Sequence, residues 1–266
     1  MKMKYIKRIS NVAAVLLITF LFASACSDDP VSGTDADEPE LPDTSPAEVD
    51  VSYFEEASTE STEEYQTFNI AKMYAQSSNG VLSTYAGIGQ AYMGFGANEE
   101  AEFSNGVWTW EYTIQGLTIR MTAEDTGPGI EWNLIFDGAD PDTGQTWDNQ
   151  VFMYGFIAHG NEYGEWAFFS EDSDSQPVLL YEWEYFSDDD YIIEFTLSDE
   201  NSDETMQMSY LKEGAEHTIE SFGFYGNQNT VLYWNTDVNT GYIDEDGDRI
   251  CWNDQYVNTS CTELGY

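Results

Sequence analysis

The most constraining feature of this 266-residue chain is a two-residue alternation that begins after Asn105-Gly106 and continues to Trp252. In VWTWEYTI, bulky side chains occupy every second position from Trp108 to Ile114, with smaller or polar ones between them. Because successive side chains of a β-strand point to opposite faces, this pattern predicts strands with one aromatic face. The alternation recurs in LTIRMTA, IEWNLIF, VLLYEWEYF and YIIEFTLS.

Clusters of turn-forming residues separate the alternating segments, among them EDTGPG, DGADPDTG, HGNEYG, SDDD and SDENSD. Pro128, Pro141 and Pro177 lie in or beside these clusters, and none interrupts a strand pattern. Short connections and clean alternation favour antiparallel neighbours. We therefore predict a mainly β fold, an antiparallel meander that forms a curved sheet or barrel, with a two-sheet sandwich as the alternative.

A helical period precedes the strands. In STEEYQTFNIAKMYAQ, Ser61 or Thr62 is a suitable N-cap, acidic residues follow in the first turn, and apolar residues then recur at helical spacing. We expect Asn79-Gly80 to break or bend the helix, with the spacing resuming over residues 81–95. The sequence thus predicts one or two N-terminal helices in residues 61–96 that pack against the sheet or cap it.

The first 25 residues have the composition of an export signal. An uncharged apolar run at residues 12–23 is shorter than the roughly 20 residues that a membrane-spanning helix needs. Small residues then lead to Cys26 in the stretch FASAC. The run is preceded by the basic residues Lys2, Lys4, Lys7 and Arg8.

FASAC resembles a bacterial lipobox, where lipoprotein signal peptides are cleaved immediately before a cysteine, although Ala23 stands where Leu is favoured. The resemblance covers only residues 1–30. It implies a signal peptide at residues 1–25 and a mature chain whose Cys26 carries diacylglycerol and a further acyl chain such as palmitate. Such a lipoprotein is exported and held by its lipid at the outer membrane of the cell envelope, on the periplasmic face or the cell surface.

The segment after Cys26 cannot form a core. Residues 27–50 contain nine acidic residues, four of the seven prolines and no aromatic residue. Like charges and prolines extend such a chain. We interpret residues 26–60 as an acidic, disordered tether and residues 61–266 as a single β-rich domain.

Loss of the signal peptide would leave four basic residues against 50 acidic ones, a net charge of −46. Nucleic acid is excluded as a partner, because its binding requires Lys or Arg to neutralise phosphates. With 15% aromatic and 41% hydrophobic residues the chain can still bury a core. The acidic surface therefore resembles that of proteins from high-salt environments, where about 1 M salt shortens the Debye length to about 3 Å.

A cation site is the alternative role for some of the acids. Asp244, Asp246 and Asp248 in DEDGD are spaced to converge on Ca²⁺, and a weaker candidate lies at residues 137–142. The pattern lacks a full EF-hand loop, and a β-hairpin turn between GYI and RICW is the favoured interpretation. We expect no cofactor, with Ca²⁺ as the alternative.

The remaining cysteines and the histidines give little indication of a catalytic function. In an oxidising compartment Cys251 and Cys261 are expected to form a disulfide that fastens the C-terminal segment to the last hairpin. His159 and His217 are expected to be polar surface groups near turns. No metalloprotease, serine-hydrolase, phosphate-loop or dinucleotide motif is present in the sequence.

The leading hypothesis is therefore a lipid-anchored, non-enzymatic envelope protein that acts as a binding or surface component for a protein, glycan or apolar partner. The predicted architecture also resembles periplasmic lipoprotein carriers and lipocalin-like barrels, which implies a second hypothesis, a carrier of an apolar ligand. Trp108, Trp110, Trp132 and Trp183 would then face the ligand, although we expect them to form the core. A third hypothesis, an extracellular polysaccharide hydrolase, requires two carboxyls about 5–10 Å apart in a groove.

Overall fold

The alternating segments form fourteen β-strands in the computed structural model of the chain. The structure describes residues 38–40, 48–57, 59–60, 62–96, 99–139, 144–170, 176–198, 205–223 and 226–266. The strands are β1 (Glu102–Ser104), β2 (Val107–Ile114), β3 (Leu117–Asp125), β4 (Gly129–Ala139), β5 (Thr146–Ala158), β6 (Tyr163–Phe168), β7 (Leu179–Tyr185), β8 (Asp190–Ser198), β9 (Thr205–Glu213), β10 (Glu216–Gly223), β11 (Gly226–Asn235), β12 (Thr240–Glu245), β13 (Asp248–Trp252) and β14 (Asn258–Thr259).

Each strand pairs antiparallel with the next one along the chain, so the described strands form one sheet in the order β1 to β14. The outermost strands β1 and β14 are not paired with each other, and the sheet is open. This topology confirms the predicted antiparallel meander. The two alternatives, a closed barrel and a two-sheet sandwich, are not what the described strands form.

One face of the sheet, called the inner face from here on, carries most of the buried side chains. In β7, for example, Tyr181 and Trp183 are buried, while Glu182 and Glu184 between and after them lie on the outer face. The alternation in the sequence therefore separates an aromatic core from a polar surface. The buried tryptophans of the sheet are Trp110, Trp132, Trp166, Trp183, Trp234 and Trp252.

Glycines on neighbouring strands make room for three of these indole rings. Trp166 pairs with Gly155, Trp183 with Gly164, and Trp252 with Gly241. A Cβ atom added to Gly155 or Gly164 would lie 1.9 or 2.0 Å from the facing indole. Each glycine thus lets a large ring lie flat against the neighbouring strand, as aromatic residues do over strand glycines in other sheets.

Three α-helices accompany the sheet in the described part of the chain: α1 (Ser52–Glu56), α2 (Gln66–Gly96) and α3 (Cys261–Leu264), with a 3-10 turn at Glu63–Tyr65 before α2. Phe68, Ala71, Ala75 and Leu82 of α2 are buried in the core. Their spacing of three, four and seven residues places them on one side of the helix. None of the described helices has both the length and the apolar character that a bilayer crossing requires.

Asn79-Gly80 is expected to break or bend the helix; the break is wrong, because α2 continues through both residues, and the bend stays a prediction. Glycine inside a helix costs only about 1 kcal/mol, which burial of the apolar side of α2 can offset. Asn79 instead uses its side chain for a tertiary contact, since its Oδ1 accepts the backbone N–H of Val49 at 3.2 Å.

The predicted domain boundary at residue 61 lies too late. Val49, Tyr53, Phe54 and Ala57 are all buried in the core, and α1 lies within this segment. Apolar residues therefore join the fold before the predicted boundary, the earliest of the four being Val49, which lies 12 residues before residue 61. The predicted signal peptide (residues 1–25), Cys26 and most of the acidic segment that follows lie outside the described residues.

The packing of tryptophan rings over glycines predicts that two glycine-to-alanine substitutions change the free energy of unfolding by very different amounts. We expect Gly164→Ala to lower the free energy of unfolding by about 2–3 kcal/mol, because the new methyl group would overlap the indole of Trp183. Gly80→Ala is the matched control, since no atom lies within 4 Å of a Cβ placed there and alanine favours a helix by up to about 1 kcal/mol. Urea unfolding of both variants measures the difference, and equal effects would contradict the packing proposed for Gly164.

Candidate functional site

The predicted cysteine pair Cys251 and Cys261 is joined by a disulfide, with the Cα atoms 5.3 Å apart. It fastens α3 to β13, and Tyr266 beyond α3 packs edge-on against Tyr233 and Tyr242. A loop of this length contributes about 3 kcal/mol in the chain-entropy account. Since the sequence has three cysteines, Cys26 has no cysteine left in the chain to pair with.

The DEDGD segment is the turn of the hairpin between β12 and β13. Asp246 and Gly247 both have positive φ angles, 52° and 95°, as a two-residue type I′ turn requires. Asp244 accepts the N–H of Gly247 at 2.8 Å and forms an ion pair with Arg249 at 3.0 Å, while Asp246 accepts the N–H of Asn229 at 3.2 Å. These carboxylates therefore stabilise the turn.

No group of three or more His, Cys, Asp or Glu side chains in the described ranges is arranged to hold a metal ion, the three DEDGD aspartates included. In the second candidate segment, Asp137 accepts the backbone N–H of Asn149 at 3.3 Å. The two other aspartates of that candidate, at positions 140 and 142, lie outside the described residues.

The four candidate ligand-facing tryptophans lie at the core. Trp110, Trp132 and Trp183 are buried, and Trp110 stacks on Trp132 with their ring centres 5.9 Å apart. Trp108 is half-buried and packs against Phe103. Trp110 also donates its Nε1–H to a carboxylate oxygen of Glu38 at 3.1 Å, which brings a residue of the predicted tether to the sheet.

The two histidines differ from each other. His159 is exposed beside a turn and contacts Asp125 at 3.2 Å, as its sequence context indicates. His217, expected at the surface, is only 2% exposed, so that expectation is wrong. The reason is register: in β10, His217 shares the inner face with Ile219 and Ser221, which are also buried. The alternation in EHTIES contains this signal, provided that the strand is taken to begin at Glu216.

A polar cluster surrounds His217 and is the candidate functional site of the inner face. The ring stacks on Trp234, with centres 4.8 Å apart and planes 12° apart, and its Nδ1 lies 2.8 Å from the Tyr210 hydroxyl. That hydroxyl accepts the backbone N–H of Asp50 at 3.2 Å, and the Asp50 carboxylate pairs with Lys212 at 3.2 Å. The cluster thus joins β9 and β10 to the segment before α1.

Burial dominates the protonation behaviour of this cluster. It lowers the pKa of His217 to about 4, with a smaller lowering from Lys212 and an opposing influence of Asp50. The imidazole is therefore neutral at pH 7. Hydrogen bonds from Ser52 and the charge of Lys212 outweigh desolvation at Asp50 and lower the pKa of its carboxyl. Asp50 and Lys212 thus carry opposite charges beside a neutral ring.

Three glutamates face one another on the outer face. Glu182 of β7 pairs directly with Glu165 of β6 and with Glu194 of β8. Burial, with smaller contributions from the charges of Glu194 and Glu165, raises the pKa of Glu182 to about 7. Burial also raises the pKa of Glu194. Like charges directly opposite each other destabilise a sheet, and a proton on Glu182 relieves this repulsion.

A cleft of about 680 Å³ lies where α2, β13, β14 and α3 meet. Its lining is neutral apart from Arg249, whose guanidinium also stacks on Tyr242 and pairs with Asp244. Since no lining residue is a carboxylic acid, this cleft does not supply the carboxyl pair of a glycoside hydrolase. It is lined by Gln66, Thr67, Ile70, Arg249, Ile250, Cys251, Asn258, Thr259, Ser260, Cys261 and Thr262.

Comparisons with known proteins identify no relative of this chain. The chain matches no model of a protein family, and no significant match is found among curated proteins or solved structures. The site is therefore interpreted from its own geometry.

The glutamate row predicts a specific dependence of stability on pH. Because the folded-state pKa of Glu182 lies above the ordinary value of 4.5, its favourable contribution is present below pH 4.5 and is lost as the pH rises through about 7. We expect Glu182→Gln to raise the free energy of unfolding by about 1 kcal/mol at about pH 8 and to have little effect at about pH 4.5. Urea unfolding at constant ionic strength measures both values.

Glu220→Gln is the control for this prediction. Glu220 lies in the same row on the outer face, but it is exposed and faces Ser209 and Val231 instead of other acids. If Glu220→Gln raises the free energy of unfolding at pH 8 as much as Glu182→Gln does, the cause is the change in net charge and not the facing glutamates.

Proposed function

We propose that this chain is an exported envelope lipoprotein, anchored by lipid on Cys26, whose β-sheet domain serves as a non-enzymatic binding or surface component. The main support for the proposal is the number and pairing of the cysteines. The structure joins Cys251 to Cys261, so the one cysteine without an intrachain partner is the one that ends FASAC. A lipobox cysteine is expected to be free of a disulfide, since its sulfur carries the lipid.

The disulfide also supports an extracytoplasmic location, because disulfides persist in oxidising compartments and are rare in the cytosol. The proposal includes a location at the outer membrane, on its periplasmic or its external side. The lipid rather than the protein surface would provide the membrane attachment, since the strongly acidic domain is repelled by anionic headgroups.

The outer face is the surface that such a domain would present to partners. Its exposed and half-buried acids, including the row of Glu165, Glu182 and Glu194, favour cationic or neutral partners and exclude nucleic acid. A cell-surface protein or a glycan fits this requirement. The proposal includes no cofactor, and Ca²⁺ is not needed for it.

Radiolabelled palmitate incorporation tests the anchor in cells of a bacterium that processes lipoproteins. We expect the protein to be labelled and to begin at Cys26 by mass spectrometry, with the added mass of its acyl chains, and we expect Cys26→Ser to lose the label and leave the membrane fraction. Cys261→Ser is the matched control, because it removes a cysteine of the disulfide and should keep the label. Unlabelled wild type, or a labelled Cys26→Ser variant, would refute the proposal.

A second candidate function, carriage of an apolar ligand, is favoured by the end of β2. Tyr112 and Ile114 continue the inner face beyond buried Trp110, yet they are 37% and 41% exposed. An apolar ligand placed there would cover them. Native mass spectrometry of protein purified without detergent tests this candidate: a co-purifying lipid that is lost in Ile114→Asp supports it, and bare protein in every preparation contradicts it.

A further inference from the structure

The segment at residues 48–57, called the strap from here on, crosses the inner face. It is the most N-terminal buried segment among the residues that the structure describes. Its helix α1 has five residues, far fewer than an isolated helix needs for stability in water. The strap is therefore held by its contacts with the sheet and α2. These contacts fall into an apolar group and a polar group.

The apolar contacts are made by Tyr53 and Phe54. The ring of Phe54 is fully buried, with its centre 5.1 Å from Trp234 and 5.4 Å from Phe68. The hydroxyl of Tyr53 accepts the Nε1–H of Trp252 at 3.0 Å. Removal of the strap would uncover an aromatic surface formed by these tryptophans.

The polar contacts are made by Glu48, Val49 and Asp50 and form what we call the latch. The backbone N–H of Val49 binds Asn79, and the carbonyl of Glu48 accepts the hydroxyl proton of Tyr191 at 2.9 Å. Asp50 binds Tyr210 through its N–H and Lys212 through its carboxylate. Three of the four contacts of the latch thus lie on β8 and β9, next to His217.

His217 lies directly behind the latch. Tyr210 contacts both Asp50 and His217, and the imidazole stacks on Trp234, the ring that Phe54 covers. The charged or titratable groups that face it are Asp50 on the strap and Tyr210 and Lys212 on β9, while Trp234 on β11 is uncharged. Tyr191 on β8 lies one contact further away, against Tyr210 and Lys212. A proton on the closed, buried ring would place a second positive charge near Lys212 without access to water.

We propose that the strap is a releasable cover of the inner face, held by the latch, and that protonation of His217 releases it. Release hydrates the imidazolium and exposes the aromatic surface around Trp234 and Trp252. It also frees residues 48–57, which lengthens the segment between the acidic stretch and the sheet. This inference does not depend on the lipid anchor.

The direction of the pH response follows from the two states of His217. Its pKa rises from about 4 in the closed state toward the ordinary value of 6.5 when water reaches it, so the strap is most stable above pH 6.5 and loosens as the pH falls toward 4. The equilibrium for opening should increase about 30-fold between about pH 7.5 and pH 5. Because the pKa of Asp50 is lowered, its carboxylate stays charged over this range and does not produce the response.

Hydrogen exchange of the full chain, corrected for the intrinsic pH dependence of exchange, tests the proposal. Between about pH 7.5 and pH 5 we expect amides of residues 48–57 to lose about 30-fold of their protection, while those of β4 keep theirs. His217→Gln, which cannot be protonated, should abolish the loss. His159→Gln should not, because His159 is exposed and contacts Asp125 at the end of β3. Tyr210→Phe removes the hydroxyl that binds Asp50 and should loosen the strap at pH 7.5 as well.

Two outcomes would overturn the proposal. If the strap and β4 lose protection together in the wild-type protein, the response is unfolding of the whole sheet and not release of a cover. If His217→Gln folds and retains the pH response, another group is responsible. Because the comparison of strap and β4 needs only the wild-type chain, failure of a variant to fold does not prevent the test.

Discussion

The structure depends on one requirement: a sheet of fourteen strands places most of its buried aromatic side chains on one face, and that face must be covered. An open meander cannot cover its own inner face by closing on itself. The cover comes from α2 and from the strap, whose side chains Phe68 and Phe54 meet the tryptophans of β11 and β13. The N-terminal part of the fold therefore completes the core that the sheet begins.

Electrostatics set a second requirement, because the chain beyond residue 25 has four basic residues for 50 acidic ones. Three of the four take part in ion pairs: Arg120 with Glu111, Lys212 with Asp50 and Arg249 with Asp244. The pairs join neighbouring strands, the strap and a hairpin turn. Most acids remain uncompensated, so the domain relies on screening by salt and on protonation at sites such as Glu182.

Much of this fold could be predicted from the sequence because strand alternation and turn chemistry are local signals. The pattern VLLYEWEYF, for instance, already assigns Trp183 to one face and Glu182 to the other, and DEDGD between two strands indicates the turn that Asp246 and Gly247 form. The pairing of Cys251 with Cys261 was predictable because these two cysteines are the even pair that remains beside Cys26, and an oxidising compartment favours their oxidation.

What could not be predicted depends on contacts between distant residues. The strap follows a highly acidic stretch, and only its complementarity with Trp234 and Trp252 makes Tyr53 and Phe54 part of the core. The continuity of α2 through Gly80 likewise depends on tertiary packing, which outweighs helix propensity. Burial of His217 depends on where β10 begins, and strand ends are the least certain part of any sequence pattern.

The two faces of the sheet respond to protons in opposite directions. On the inner face, closure around neutral His217 is favoured above its ordinary pKa of 6.5, whereas on the outer face repulsion around Glu182 increases as the pH rises through about 7. These two groups therefore lower stability at opposite ends of the pH range, His217 at low pH and Glu182 at high pH. Salt screens the half-buried glutamate row more than the buried ring of His217, since screening acts on charges that water and ions can reach. An increase in salt should thus reduce the loss of stability that Glu182 causes at high pH and leave the effect of His217 at low pH nearly unchanged.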